Sequence, residues 1–326
     1  MCRIKKQSVN KPAQVNMSVQ TCEWENLFND GDRSILKDGL VLTDLVSVLL
    51  GLWLNLALLL TNLKYDLSYR NLAFFTLISC LRRGLSLCHY LLLSESWFDF
   101  KESCTFNGFW DTFLSVYEVE CLTHVCIERY VVHKYINNGW EPIKWHYCMY
   151  QGLCLLFAAL YSIPPLFGIG SYGLDFTCNS CTFDMVLPDS WQKEFIVLIF
   201  LLRSVKSGSF MIVMLYWAQK LEAVNKSSEK MMEQAPFTKS VVAMTAVIIM
   251  CWLPITMVRG SVVLSQLLNG YISFVPSVLL VQWSMWLSSI SPAFMSITLF
   301  LVDDQIRGKA LNFYKITGVK ETKKEL

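Results

Sequence analysis

Ionisable side chains lie in the middle of otherwise apolar segments of this chain, and they are its strongest candidates for chemistry. Arg82 lies in the second such segment, Glu118 and Glu120 lie in the third, and Arg203 lies in the fifth. An isolated charge in an apolar medium costs several kcal/mol, and an ionisable residue inside a membrane marks a functional site by default. We therefore expect each of these residues to have a partner of opposite charge.

Metal and enzymatic chemistry find little support in the sequence. The four histidines lack the spacing of a metal site, and the chain has no Gly-x-Ser-x-Gly motif and no phosphate-binding glycine loop. The net charge of +2 carries no nucleic-acid signal. The sequence thus predicts no enzyme, no metal site and no nucleic-acid partner. A transporter or channel is a weaker alternative, in which the charged residues named above would line a polar path.

Seven mostly apolar stretches, each about long enough to cross the roughly 30 Å hydrocarbon core of a bilayer, follow one another along the chain. Hydrophobic residues make up 54% of the sequence and charged residues 17%, unlike a soluble domain. The sequence predicts an all-α membrane protein with a seven-transmembrane helix bundle. The predicted spans are Leu40–Leu63, Asn71–Leu93, Cys104–Tyr130, Trp145–Phe167, Trp191–Trp217, Lys239–Val263 and Tyr271–Val302.

The predicted transmembrane domain, residues 40–302, lies between a polar amino-terminal tail, residues 1–39, and a carboxyl-terminal segment, residues 303–326. Asp303–Phe313 mixes apolar and charged residues in a pattern that predicts a short amphipathic helix on the membrane surface. No cleavable signal peptide is evident before the first span, so that span would direct the chain to the membrane.

The distribution of basic residues predicts the orientation in the membrane. Lysines and arginines such as Lys134 and Lys220 are concentrated after the first, third and fifth spans, whereas the alternate connections are acidic. Because basic loops stay cytoplasmic, we expect a multi-pass plasma-membrane protein with an extracellular amino terminus and a cytoplasmic carboxyl terminus. Asn16, in the sequence Asn-Met-Ser, then lies on the side where asparagine is glycosylated.

Most of the twelve cysteines lie within the predicted spans, where they behave as small apolar residues. Cys104 at the outer end of the third span is different, as are Cys178 and Cys181 in the connection between the fourth and fifth spans. These residues share the oxidising face of the membrane. A disulfide between Cys104 and either Cys178 or Cys181 would hold that connection over the mouth of the bundle.

Two motifs within these spans carry a family resemblance. Cys104 precedes the triplet Glu128-Arg129-Tyr130 by 24 residues (128 minus 104), and the sixth span contains Cys251-Trp252-Leu253-Pro254. With both motifs at these places, the chain resembles the rhodopsin-like G-protein-coupled receptors. Tyr216, near the inner end of the fifth span, matches a further position of that family.

The resemblance implies roles for these residues. Arg129, with Tyr130 and Tyr216, would meet a heterotrimeric G protein, and Glu128 would hold Arg129 in the inactive state. Trp252 and Pro254 would form the hinge about which the inner end of the sixth helix moves outward.

The implied function is a receptor for a small molecule bound in the outer half of the bundle. The alternative is a receptor-like protein that does not signal. Its support is that the sodium-site aspartate and the activation tyrosine of the family are both missing from this sequence.

Within this family the local resemblance is to opsins. It lies in Glu128-Arg129-Tyr130-Val131-Val132, in Pro164-Pro165-Leu166-Phe167-Gly168 and in Ser180-Cys181-Thr182-Phe183-Asp184. We assign Cys181, in the last of these segments, to the disulfide with Cys104. Asp175 falls where many opsins have a carboxylate near the retinal.

An opsin binds retinal as a Schiff base and needs a lysine in the seventh helix to do so. No lysine occurs between Lys239 and Lys309, and Ser289 or Met285 takes the lysine position, depending on the alignment. Asn107 replaces the glutamate counterion of vertebrate opsins. We therefore predict that the chain has no covalently bound retinal, and noncovalent retinoid binding stays open.

Asp111 suggests a second class of ligand. It stands where aminergic receptors have the carboxylate that pairs with a ligand ammonium, and Ser204 is compatible with such a pocket. The other interpretation of Asp111 is an ion pair with another residue of the chain. The residues predicted to line the ligand pocket are therefore Asn107, Asp111, Asp175, Ser204, Trp252 and Ser289.

Family geometry also suggests partners for the intramembrane charges. Leu81 replaces the second-helix aspartate that holds a sodium ion in the family, and Glu118 would lie opposite it on the third helix. We therefore predict an ion pair between Glu118 and Arg82. Glu120 lies on a different face, where the third helix meets the fifth, and Arg203 is its predicted partner.

Overall fold

The structure is a computed structural model, and it describes residues 30–60, 66–93, 101–138, 140, 143–174, 181–184, 191–225, 229–268, 278–304 and 306–308. The predicted sites Asn16 and Asp175, and the alternative disulfide partner Cys178, lie outside these residues. Within the described ranges the chain forms seven long helices. In chain order they are Asp30–Leu60, Asp66–Leu93, Lys101–Tyr135, Lys144–Ser162, Gln192–Val224, Glu229–Leu267 and Val278–Val302.

Five of these helices contain, among the described residues, a stretch long and apolar enough to cross a bilayer. The second and third helices are long enough as well, but they carry charges in their middle, including Arg82, Glu118 and Glu120, which lower their hydropathy. The five stretches are Leu42–Leu60, Lys144–Phe167, Gln192–Val224, Gln234–Leu267 and Trp283–Val302.

The third helix lies at the centre of the bundle. It packs against the second, fourth, fifth and sixth helices and against both strands of a small hairpin. Its residues Val116, Tyr117, Leu122 and Cys126 are at most 1% exposed. Because this helix is surrounded by protein, its polar side chains depend on neighbouring elements for their hydrogen bonds.

A buried polar contact joins the first, second and seventh helices. The Asn55 side-chain oxygen lies 2.8 Å from the hydroxyl of Thr76 and 2.8 Å from the hydroxyl of Ser296. The Asn55 amide donates to the carbonyl of Gly51 at 2.8 Å. Since a polar group in an apolar medium is costly when unpaired, these contacts favour one register of the three helices.

The connection between the fourth and fifth helices contains a two-stranded antiparallel hairpin, formed by β1 (Tyr172–Leu174) and β2 (Cys181–Phe183). Sequence analysis does not predict these strands. The Cys104–Cys181 disulfide ties β2 to the third helix and confirms that predicted pair. The Tyr172 hydroxyl donates to the carbonyl of Ser162 at 2.6 Å, which fixes β1 to the end of the fourth helix.

Irregular turns interrupt two helices near the centre of the bundle. The fifth helix contains a π-helical segment, Leu201–Lys206, between two α-helical parts, and the sixth helix contains Pro236 and Pro254. A π segment shifts the following residues around the helix axis, and a proline removes one backbone hydrogen bond. After the seventh helix, Asp303 accepts a hydrogen bond from the backbone of Ile306, where residues 306–308 are helical.

Candidate functional site

A cavity of about 120 Å³ lies between the third, fifth and sixth helices. Its wall is largely apolar, with two arginines and two hydroxyl-bearing side chains among the lining residues. The lining residues are Val119, Phe200, Arg203, Ser204, Gly208, Met211, Ile248, Ile249, Trp252, Leu253, Ile255, Thr256 and Arg259. A concave, mostly apolar lining with a few polar groups is usual for small-molecule pockets, which at about 300–1,000 Å³ are larger than this cavity.

The structure divides the residues predicted to form the ligand pocket. Ser204 and Trp252 line the cavity. Asn107, Asp111 and Ser289 are described residues that do not line it, and Ser289 instead donates to the carbonyl of Met285 at 2.8 Å. The cavity therefore lies closer to the fifth and sixth helices than the sequence predicts.

Asp111 forms an ion pair with Arg82 of the second helix. The predicted pair between Arg82 and Glu118 is therefore wrong. Asp111 and Glu118 lie seven residues apart, about two turns, so both project from the same face of the third helix and periodicity alone cannot choose between them. Glu118 is 3% exposed, and its Oε1 atom has no hydrogen-bond partner.

Glu120 forms the second ion pair, and its partner is Lys206 rather than the predicted Arg203. Lys206 Nζ lies 2.8 Å from Glu120 Oε1 and 3.0 Å from Oε2, and the Ser207 hydroxyl donates to Oε1 at 2.8 Å. Lys206 Nζ also lies 4.5 Å from the ring centroid of Phe157. The π-helical segment ends at Lys206, so the side chains of this region do not follow the α-helical spacing used in the prediction.

Arg203 is left to neutral partners. Its guanidinium donates to the Ser115 hydroxyl at 2.6 Å, and it lies 5.9 Å from the ring centroid of Trp252. Among the described residues, no carboxylate forms an ion pair with it. Arg259, about two turns after Trp252 on the sixth helix, donates to the hydroxyl of Thr182 in β2 at 3.0 Å.

Trp252 connects the cavity to the seventh helix. Its indole N–H donates to the hydroxyl of Ser291 at 3.2 Å, and Ser291 in turn donates to the carbonyl of Ser288 at 2.9 Å. Pro254 lies two residues further along the sixth helix. Trp252, in the cavity wall, is thus hydrogen-bonded to the seventh helix. It lies next to Pro254, where the sixth helix lacks a backbone hydrogen bond.

A second polar cluster lies near the carboxyl-terminal end of the third helix, around Arg129, at the end predicted to face the cytoplasm. The Arg129 guanidinium is 2% exposed, pairs with Glu128 at 2.5 Å, and donates to the Gln234 side chain of the sixth helix at 3.0 Å. Its central carbon lies 4.2 Å from the ring centroid of Phe237. The Tyr147 hydroxyl of the fourth helix donates to Glu128 at 3.4 Å. These contacts hold the third and sixth helices together at this end.

Tyr130 and Tyr216 lie outside the contacts of Arg129. Tyr216 is 60% exposed and packs edge-to-face with Trp217, and Tyr130 lies beside Lys134, whose Nζ is 5.6 Å from the ring centroid. The two side chains project from other faces of their helices than Arg129 does, and their predicted contact with a G protein stays a prediction.

Sequence analysis did not identify His133, which is buried at the same end of the bundle. Its Nδ1 lies 3.0 Å from the carbonyl of Ala218, and its Nε2 lies 3.0 Å from the hydroxyl of Thr238. The imidazole therefore joins the third, fifth and sixth helices. Its position four residues after Arg129, which brings both side chains to one helix face, was the available signal.

The sequence and the fold both have known relatives. The family model described as "7 transmembrane receptor (rhodopsin family)" matches residues 42–301. "Rhodopsin, GQ-coupled" of Mizuhopecten yessoensis is 22% identical over 202 residues, which is 56% of this chain and 40% of that protein. The chain thus spans about two fifths of the length of this curated relative.

A structural comparison confirms the predicted seven-helix fold. The crystal structure of squid rhodopsin superposes with a TM-score of 0.71 over 86% of this chain and 85% of that chain. The two sequences are 17% identical, so the likeness concerns the fold alone.

Proposed function

We propose that this chain, which belongs to the rhodopsin family of seven-transmembrane receptors, converts occupancy of its outer cavity into activation of a heterotrimeric G protein. The observation that carries the proposal is the cluster at the inner end of the bundle, where Glu128 and Gln234 hold Arg129 in a buried position. A cation that is restrained by a second helix can be exposed when that helix moves, and this is a two-state element of the kind that a receptor needs.

The path from the cavity to this cluster follows the sixth helix. Trp252 lines the cavity and is bonded to Ser291, and Pro254 weakens the helix just beyond it. A ligand that displaces Trp252 would let the inner part of the sixth helix swing outward. That movement would separate Gln234 from Arg129 and open a cleft for the G protein.

We further propose that the ligand binds without a covalent bond. The sequence has no lysine between Lys239 and Lys309, so the seventh helix offers no amine for a Schiff base with retinal. A noncovalently bound retinoid remains within this proposal. An amine ligand loses its support, because Arg82 already neutralises the Asp111 carboxylate that would bind its ammonium group.

The proposal includes the orientation expected from the basic loops, with the cavity facing outward and Arg129 facing the cytoplasm of a cell at its plasma membrane. Fluorescent tags on each terminus, probed with a membrane-impermeant quencher on intact cells, test this orientation. The amino-terminal tag should be quenched, and the carboxyl-terminal tag should be quenched only after permeabilisation.

G-protein dissociation in living cells tests the signalling function, measured without stimulus and then in light with added retinal. Gln234→Leu removes the hydrogen bond across the helices and should raise basal activity several-fold, whereas Gln234→Glu adds a charge facing Arg129 and should lower it. Arg129→Ala should abolish the signal in every background. All variants are compared at matched surface expression.

The contending function is a receptor-shaped protein that binds its ligand without signalling. The observation that favours it lies in the seventh helix, where Ser291-Pro292 is followed by no tyrosine at the family's activation position. Basal activity that is absent from wild type and from Gln234→Leu, despite normal surface expression, would refute coupling to the G proteins tested.

A further inference from the structure

Among the described residues, the lining of the cavity contains two basic side chains, Arg203 and Arg259, and no acidic one. Guanidinium groups stay charged at any physiological pH, so this cavity has a positive potential. A cavity of one sign attracts ligands of the opposite sign, and the low polarity of the surrounding lining strengthens the attraction. The composition of the cavity therefore favours an anion.

Arg203 has bonding capacity that its protein contacts leave unused. Its partners are the Ser115 hydroxyl at 2.6 Å and the face of the Trp252 ring, and both are neutral. A guanidinium has five N–H donors in a planar fork that matches a carboxylate. An arginine among helices without a carboxylate partner is costly, and an anionic ligand would remove that cost.

Three carboxylates of the third helix lie within about two turns of Ser115, and none of them forms an ion pair with Arg203 among the described residues, Glu118 included. Asp111 is engaged by Arg82, and Glu120 is engaged by Lys206 and Ser207. Arg203 lies where the third and fifth helices meet. Among the described residues, it has no carboxylate partner there.

Arg259 contributes a second positive charge to the lining of the same cavity. Its bond to Thr182 holds it against β2, next to the disulfide at Cys181. The hairpin thus positions one arginine, and the π-helical segment of the fifth helix positions the other. Two independent elements fix the two charges around one space.

The remaining lining residues define the rest of the ligand. Phe200, Met211, Ile248 and Ile255 are apolar, and Leu253, which is 45% exposed, lies at the edge of the cavity between the fifth and sixth helices. An apolar body would find contacts here, and it would gain by leaving water. A small hydrophilic anion would use only the two arginines.

We propose that the cavity binds an amphiphile with one oxyanion group, which Arg203 binds through its guanidinium while the apolar body lies between the fifth and sixth helices. This inference rests on the proposed function, because it takes the cavity to be the ligand site of the receptor. It assigns the ligand a charge opposite to that of the amine predicted from Asp111.

Binding to the purified full chain in phosphatidylcholine nanodiscs tests the ligand class without a G protein. The probes are oleic acid and oleyl alcohol, which share one hydrocarbon chain and differ in the charged group. Oleic acid should raise the melting temperature, and oleyl alcohol should have a much smaller effect. A second arm replaces part of the phosphatidylcholine with phosphatidylserine, and so asks whether a membrane lipid supplies the anion.

Arg203→Gln should weaken oleic acid binding at least tenfold, and Arg203→Lys, which keeps the charge but loses the fork, should weaken it less. Lys220→Gln removes an exposed positive charge beside Trp217, outside the cavity, and is the matched control. If Arg203→Gln fails to fold, Arg203→Lys and Arg259→Gln carry the test. Equal binding of the acid and the alcohol, or equal binding by wild type and all arginine variants, would overturn the proposal.

The two lipid arms and the signalling assay separate the remaining outcomes. An Arg203-dependent shift with phosphatidylserine alone supports a lipid headgroup as the anion, and a shift with oleic acid supports a diffusible amphiphile. Arg129→Ala should still bind oleic acid and should abolish signalling. Arg203-dependent binding without any G-protein response would therefore refute the proposed function and keep the ligand class. A G-protein response without Arg203-dependent binding would refute the ligand class and keep the proposed function.

Discussion

Removal of one partner of the buried Glu120–Lys206 pair should destabilise the bundle more than removal of both. Glu120 is 2% exposed and accepts three hydrogen bonds, two from Lys206 and one from Ser207. Lys206→Met leaves that carboxylate with only the Ser207 hydroxyl. An unpaired buried charge of this kind costs about 3–5 kcal/mol, which is a large fraction of the stability of a typical domain.

The two single variants should differ in cost because the two side chains differ in exposure. The Lys206 side chain is 26% exposed, so in Glu120→Leu its ammonium group is only partly buried. It also keeps its contact with the ring of Phe157. We expect this variant to cost about 2 kcal/mol, which is less than Lys206→Met. The double variant Glu120→Leu with Lys206→Met replaces the pair by apolar side chains. It should lie within about 1 kcal/mol of wild type.

Thermal unfolding of the purified chain in nanodiscs, followed by the fluorescence of a thiol-reactive dye, measures the four members of this cycle. The coupling between Glu120 and Lys206 should be at least 2 kcal/mol, and the same cycle with Arg203→Met in place of Lys206→Met should show less than about 0.5 kcal/mol. Additive effects for Lys206, or a larger coupling to Arg203, would refute the assignment of this ion pair.

Two further predictions concern the end of the bundle that carries the hairpin. Cys181→Ser opens a disulfide with a sequence separation of 77 residues and should cost about 4 kcal/mol in a thermal unfolding assay, whereas Cys148→Ser, at an exposed free thiol, should be neutral. Gly108→Ala places a methyl group 2.7 Å from the Tyr172 ring and should lower stability by about 1–3 kcal/mol. Gly152→Ala, inside the fourth helix, meets no atom within 4 Å and should leave stability unchanged or raise it slightly. Equal melting temperatures within either pair would contradict the packing described for that position.

The seven helices and the disulfide could be predicted from the sequence, because both depend on local features. Apolar stretches of about the length of a bilayer specify spans without knowledge of their neighbours. Cys104 lies at the start of the third span and Cys181 in the connection between the fourth and fifth spans, and the family resemblance selects Cys181 over Cys178. The second and third helices are less apolar than the other five because they carry charged residues. These charges are tolerated because both helices pack against other helices of the bundle.

The partners of the intramembrane charges could not be predicted, because they depend on helix rotation. Asp111 and Glu118 share one face of the third helix, so Arg82 could reach either according to periodicity. Arg203 and Lys206 lie in a π-helical segment, and the sequence Leu201–Lys206 carries no signal that distinguishes it from α-helix. The π-helical segment changes which side chain of the fifth helix faces Glu120. Its partner is therefore Lys206 and not Arg203.

Arg259 and the hairpin illustrate a second limit. Arg259 lies seven residues after Trp252, which is about two helical turns, so periodicity alone would have brought it to the same face as the predicted hinge. Its importance depends on β2, however, and three-residue strands are too short to show an alternating pattern. A site that is assembled from a short strand and a distant helix leaves little trace in a single sequence.

The ion pairs also explain why ligand charge and helix movement would be linked in this receptor. Asp111 and Glu120 are neutralised within the bundle, so an occupant of the cavity meets the charges of Arg203 and Arg259, and Arg203 lies against Trp252. An anion that draws the guanidinium toward itself changes the contact on the face of the Trp252 ring, whose edge is bonded to Ser291. The same event that satisfies Arg203 therefore acts on the residue beside Pro254, so binding energy is available to shift the sixth helix only for ligands that engage the arginine.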